Sequence, residues 1–145
     1  MRNRIDLGVF WNTFEQILIE NGEPFKIVYK DHYADVNRYK INLNIDVDIS
    51  LVRRDNFLRV GLYIIDKYSD IGRIILANKE QINKQLTFSP LWESGEFLNP
   101  DTLRVIVKLP IDNFTCRELI EQALPYIMEF IAVAKKYGEQ FFFDF

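Results

Sequence analysis

From Ile41 to Leu51 the chain reads Ile-Asn-Leu-Asn-Ile-Asp-Val-Asp-Ile-Ser-Leu, apolar and polar in strict alternation. Successive side chains of a β-strand leave opposite faces of a sheet, so this period of two predicts one strand with a dry and a wet face. Ile41, Leu43, Ile45, Val47, Ile49 and Leu51 are expected to face a core, and Asn42, Asn44, Asp46, Asp48 and Ser50 to face water. After the polar stretch Arg53-Arg54-Asp55-Asn56 the alternation resumes from Phe57 to Ile65. Leu58, Val60, Leu62 and Ile64 fall on its apolar side, and Arg59, Gly61 and Tyr63 on the other. The two runs read as a long β-hairpin. A turn centred on Arg54-Asp55 sets Ser50 opposite Arg59, Asp48 opposite Gly61 and Asp46 opposite Tyr63. Asp48 and Arg59 then become diagonal neighbours, within reach of a long side chain.

The remaining elements follow from periodicity and punctuation. Residues 6–21 carry Leu7, Phe10, Trp11, Phe14, Ile17 and Leu18 at helical spacing, with Asp6 as N-cap and Gly22 and Pro24 beyond the end. Phe25 to Tyr29 is expected to form a first strand, residues 31–35 a loop, and residues 40–52 the strand described above. A second helix is predicted over 70–86, capped by Ser69, with Gly72 a weak spot in its first turn. Phe88 to Glu93 reads as a short strand that Pro90 drives to a sheet edge, and Leu103 to Leu109 as a strand closed by Pro110. The last helix opens on the capping box Thr115-Cys-Arg-Glu118. Pro125 implies a kink or a pair of helices there, and Gly138 a stop. The order α-β-β-β-α-β-β-α lacks sustained strand-helix-strand alternation. It predicts a single α+β domain over 1–145: a two-layer fold with an antiparallel or mixed sheet of about five strands and helices on one face.

A length of 145 residues suffices for one domain with its own core, and 48% hydrophobic with 27% charged residues is a globular composition. The net charge of −3 argues against a protein that coats nucleic acid with its whole surface. The charged start Met1-Arg-Asn-Arg-Ile-Asp has no apolar run behind it, and no segment approaches a membrane span. A cytoplasmic location away from the membrane is therefore expected. One cysteine, Cys116, and one histidine, His32, supply neither an intrachain disulfide nor an ordinary zinc site. No glycine-rich phosphate loop is present, so no cofactor is expected.

The landmarks also resemble a prokaryotic domain of unknown function that often forms the C-terminal part of restriction-endonuclease-like proteins. The pieces that carry the resemblance are Phe10-Trp11-Asn-Thr-Phe14, Gly22-Glu-Pro24-Phe25, Arg59-Val-Gly61-Leu62-Tyr63-Ile64, Lys79-Glu80-Gln-Ile82, Leu91-Trp92, Arg104-Val-Ile-Val and Asp112. Their order and spacing span nearly the whole chain. The family's final helix often carries tryptophans, where this chain has Leu119 and Tyr126. The nuclease region that accompanies the family is not among these residues, so nuclease activity is not implied. The resemblance implies a bacterial accessory module in a DNA-processing or restriction and defence setting, with a protein partner or self-association as its mode of action.

Three chemistries compete for the polar residues. Asp46 and Asp48, with Asn44, Ser50 and Asp31 or Asp35, have the hard oxygen atoms a divalent cation takes, which is the basis of a metal-dependent hydrolase reading. No lysine follows them at nuclease spacing, and a plain polar sheet face with an Asp48–Arg59 ion pair accounts for the same residues. Arg53 and Arg54 at the hairpin tip, with Arg59 and a stacking Tyr63, form the basis of a nucleic-acid-binding reading. The preferred expectation is a non-catalytic interaction domain whose candidate site is Asn44, Asp46, Asp48, Arg59 and Tyr63. His32 and Cys116 lack partners in sequence that would make them catalytic. The closing Phe141-Phe142-Phe143-Asp-Phe145 is expected to pack on the domain rather than on a partner.

Overall fold

The computed structural model describes residues 26–31, 36–42, 45–52, 56–94, 101–111 and 115–142, together with helical positions 9, 10, 12, 13 and 16. Strands β1 (Lys26–Asp31), β2 (Val36–Asn42), β3 (Ile45–Val52) and β4 (Phe57–Ile64) come first. Helices α1 (Asp70–Ala77) and α2 (Lys79–Gln85) follow, then β5 (Leu91–Ser94), β6 (Leu103–Pro110) and α3 (Cys116–Phe142). The strands lie in the order β1-β2-β3-β4-β6-β5, and every neighbouring pair is antiparallel. The fold is α+β, as the patterning predicts, and the sheet is antiparallel rather than mixed.

One side of the sheet is the core. Ile45, Val47, Ile49 and Leu51 of β3 meet Leu58, Val60, Leu62 and Ile64 of β4, all essentially without exposure. Leu103, Val105 and Leu109 of β6 extend the same face through their register with β4. Against it packs α3, whose buried Leu119, Ile120, Ala123, Ile127, Phe130 and Ile131 recur at helical spacing. Phe10 joins one end of this layer, and Ile71, Ile75 and Ile82 of α1 and α2 the other. Rings and hydrogen bonds tie the segment after α2 to α3: Phe88 stacks edge-on at 5.3 Å from Phe130, and Thr87 N–H donates to the Glu129 carboxylate at 2.8 Å.

Four expectations need correction. The alternation at 41–51 is not one strand, because Ile41 and Asn42 belong to β2 and Asn42 pairs with Ile45. The chain reverses between them, and asparagines satisfy both a polar strand position and turn chemistry, so a short link leaves no mark on the pattern. The helix expected over 70–86 is two helices, broken at Asn78. Its side chain donates back to the Ile74 carbonyl at 2.8 Å and competes with helix propagation. Of the two alternatives at Pro125, the pair of helices does not occur: α3 is continuous, with Pro125 on its exposed side, where the missing N–H costs least in packing. Gly138 does not stop it either, because it is buried within α3, which runs on to Phe142.

Other local readings agree with the structure. Ser69 Oγ accepts from Gly72 N–H at 3.2 Å, and Thr115 and Glu118 cap one another reciprocally, each at 3.2 Å. Asn56 takes the left-handed conformation (φ 64°) at the entry to β4, which its short polar side chain tolerates. Among the described residues no helix is long and apolar enough to cross a membrane. Asp35, Asn44, Arg53, Arg54 and His32 lie outside the described residues, as do the side chains of Cys116, Phe141 and Phe142 and all of residues 143–145.

Candidate functional site on the second face of the sheet

The β3–β4 register is the one the hairpin predicts: Asp46↔Tyr63, Asp48↔Gly61 and Ser50↔Arg59. β6 adds Arg104 opposite Tyr63, Ile106 opposite Gly61 and Lys108 opposite Arg59. β5 completes two of these rows, with Glu93 opposite Arg104 and Leu91 opposite Ile106. On the far side of β3, the register positions of Lys40 and Arg38 fall opposite Asp46 and Asp48. Charged and hydroxyl residues from three central strands therefore share the face opposite the core.

This face is drier than its composition suggests. Asp46, Asp48 and Ser50 are 7%, 0% and 1% exposed, so the expected wet face of β3 is buried. Asp48 and Ser50 are short and stand on a central strand, where the longer Arg59 of β4 leans across them. Arg59 Nε donates to Asp48 Oδ2 at 3.1 Å, Nη2 lies 3.1 Å from the same oxygen, and Nη2 donates to Ser50 Oγ at 2.8 Å. Gly61, opposite Asp48, has no side chain to block that diagonal. A buried carboxylate is tolerable only when paired and hydrogen-bonded, and Arg59 does both.

A second ion pair lies one row away. Arg104 Nη2 sits 3.3 Å from Glu93 Oε1, with the two side chains 11% and 35% exposed. The contact is electrostatic rather than hydrogen-bonded, because among the described residues buried Glu93 Oε1 and Arg104 Nε have no hydrogen-bond partner. Leaving such a group unsatisfied costs about 1–3 kcal/mol, so orphans of this kind are few in folded proteins. Burial holds the Arg104 guanidinium below the ordinary arginine value. The positive charge of Arg59 lowers it further, while Glu93, Asp48 and Tyr63 pull it back up. It stays cationic at neutral pH, as arginine does.

Asp46, Asp48, Arg59 and Tyr63 are thus brought onto one face. Tyr63 is half-buried and stands in the row of Asp46 and Arg104, four residues along β4 from Arg59. Among the described residues no group of three His, Cys, Asp or Glu side chains is placed to hold a metal ion. Sequence reasoning missed Arg104 and Glu93. The signal was present in the alternation of Arg104, Ile106 and Lys108 with apolar neighbours, but it has meaning only once β6 is known to lie beside β4. No family model, characterised protein or solved structure matches the chain.

Proposed function

We propose that this chain is a non-catalytic interaction domain that works beside DNA-processing or restriction and defence machinery. The observation that carries the non-catalytic part is the state of Asp48. The carboxylate best placed by sequence for metal chemistry is fully buried and tied to Arg59 and Ser50 inside the sheet. To serve a metal-dependent hydrolase it would have to give up Arg59 and regain access to solvent, leaving a guanidinium without its counter-charge. The DNA-processing setting rests on the ordered landmarks from Phe10 to Asp112 described above.

Two measurements test the two parts. Incubated with supercoiled and single-stranded DNA in Mg²⁺ or Mn²⁺, the purified protein is expected to leave the DNA intact, and neither ion is expected to move its Tm. Cleavage that disappears in Asp48→Asn would overturn the non-catalytic reading. For the setting, the adjacent genes are expected to encode a nuclease or methyltransferase whose product co-elutes with this chain on co-expression. Neighbours without DNA chemistry, and no co-elution, would remove it.

A further inference from the structure

We propose that the outer edge of β5 receives an extended, acidic segment of a partner protein as one more antiparallel strand. The proposal rests on the interaction reading and names its surface and the chemistry of its partner.

An edge strand points alternate backbone N–H and C=O groups outward, where another chain can pair with them. The two edges of this sheet are built differently. At β1 the register with β2 shifts between Ile27 and Tyr29, and Lys26, Lys30 and Asp31 stand on the strand. A bulge and charged residues, lysine above all, discourage pairing. β6 beyond Ile106, where β5 has ended, carries Lys108 and Pro110, which act the same way. β5 has no bulge, lysine or proline. Its Leu-Trp-Glu-Ser run pairs in unbroken register with β6 and, among the described strands, with nothing on its other side. A strand this short seats a short segment rather than a second sheet.

The side chains of β5 set the chemistry of that segment. On the second face Gly61, Ile106 and Leu91 share one row, in which Ile106 is fully buried and Leu91 is 48% exposed. An apolar residue opposite Leu91 would continue the row. On the helix side Trp92 Nε1–H donates to Asn83 Oδ1 at 2.9 Å, and Lys79 Nζ lies 5.3 Å from the centre of the indole. Lys79 and Asn83 are one turn apart on α2, so both stand over the row of Trp92. Among the described residues no carboxylate pairs with Lys79. A residue opposite Trp92 on an added strand would have its Cβ about 5 Å from that of Trp92, beside this ammonium. A carboxylate is its complement. Glu93 Oε1, which lacks a hydrogen-bond partner among the described residues, matches a hydroxyl donor at the next position. Read antiparallel to β5, the segment is hydroxyl, acidic, apolar, as in Thr-Glu-Val.

The test is titration of the isotope-labelled full chain, followed by amide resonances and hydrogen exchange, with three short synthetic peptides at up to millimolar concentration. One is centred on Thr-Glu-Val, one on Thr-Lys-Val, and one is the Thr-Glu-Val peptide N-methylated on every backbone amide. The Glu peptide is expected to shift the β5 amides and slow their exchange, the Lys peptide to bind several-fold more weakly, and the methylated peptide not to bind. Lys79→Glu places an acid in the first turn of α2, where the helix dipole favours it, so the fold is kept. This variant is expected to reverse the order of the Glu and Lys peptides. No change at β5 with the Glu peptide, equal binding of the Glu and Lys peptides, or an order unchanged in Lys79→Glu overturns the proposal. So does protection of β5 that rises with protein concentration alone, which marks a second copy of this chain as the occupant. Failure here leaves the interaction reading in place, because another surface can carry a partner. That reading fails instead by DNA cleavage, which these titrations do not register.

Discussion

Arg59 reaches diagonally across the β3–β4 ladder to Asp48, its Nε 3.1 Å from the carboxylate of a residue with no exposure at all. The pair replaces water for both groups. Removing one partner should therefore cost far more than removing both. Asp48→Ala is expected to lower the unfolding free energy by about 3–5 kcal/mol, because it strands a guanidinium that is only 15% exposed. The double variant Asp48→Leu/Arg59→Met should fall within about 1 kcal/mol of wild type, since buried ion pairs seldom outdo apolar packing. Urea denaturation of the four proteins of this cycle gives the coupling directly. A single variant as stable as wild type would show that the pair is not the anchor of this face.

The sign of a second substitution separates helix propensity from packing. Gly72 lies in the first turn of α1, where Ala should be better by about 1 kcal/mol. A Cβ at this position, however, would stand 2.6 Å from the backbone carbonyl oxygens of both Asp66 and Lys67. Those atoms belong to the main chain and cannot swing aside. Gly72→Ala is therefore expected to destabilise by about 1–3 kcal/mol, the usual cost of overpacking. A raised Tm in thermal unfolding would show that the 66–67 segment yields more easily than its packing implies.

What the chain disclosed in advance depended on how local the cause was. The hairpin register from Asp46 to Arg59 could be read because both strands carry alternation and a one-residue slip would put a whole apolar face in water. Ser69 and Thr115 could be read because caps act within three residues. The reversal between Asn42 and Ile45 could not, since its residues keep the phase of the strand. Burial of Asp48 could not either: alternation marks its face as polar, and how dry that face is depends on the strands around it rather than on Asp48 itself. The Arg104–Glu93 pair needed the β4–β6 and β5–β6 pairings, which no periodicity within a single strand reveals. The candidate site was thus half legible: its β3–β4 members follow from one hairpin, and its β5–β6 members from topology.

The capping box at the start of α3 offers a smaller test. Thr115 Oγ1 accepts from Glu118 N–H and the Glu118 carboxylate accepts from Thr115 N–H, each at 3.2 Å. Thr115→Ala is expected to cost about 1 kcal/mol, and Thr115→Ser to restore most of it. Hydrogen exchange at the first turn of α3 should rise in the Ala variant and return in the Ser variant. Equal protection in all three proteins would mean that packing of Leu119 and Ile120, not the cap, sets where the helix begins.

Pro125 is the residue of α3 whose chemistry most opposes the helix it occupies. Its ring removes the N–H that would bond the Glu121 carbonyl and crowds the preceding turn, a cost near 3 kcal/mol against Ala in a free helix. Yet α3 passes through it unbroken, carried by the buried stripe of Ala123, Ile127 and Phe130 on the side that faces the sheet. Because Pro125 is exposed, its ring adds nothing to that stripe. Pro125→Ala is accordingly expected to stabilise the protein by about 1–3 kcal/mol, less any gain from proline stiffening the unfolded chain. Chemical denaturation measures the difference, and far-ultraviolet circular dichroism should show helix content unchanged or slightly higher. A less stable Pro125→Ala would mean that α3 is bent at this point to follow the twist of the sheet, so that straightening it pulls Ile127 and Phe130 away from β4.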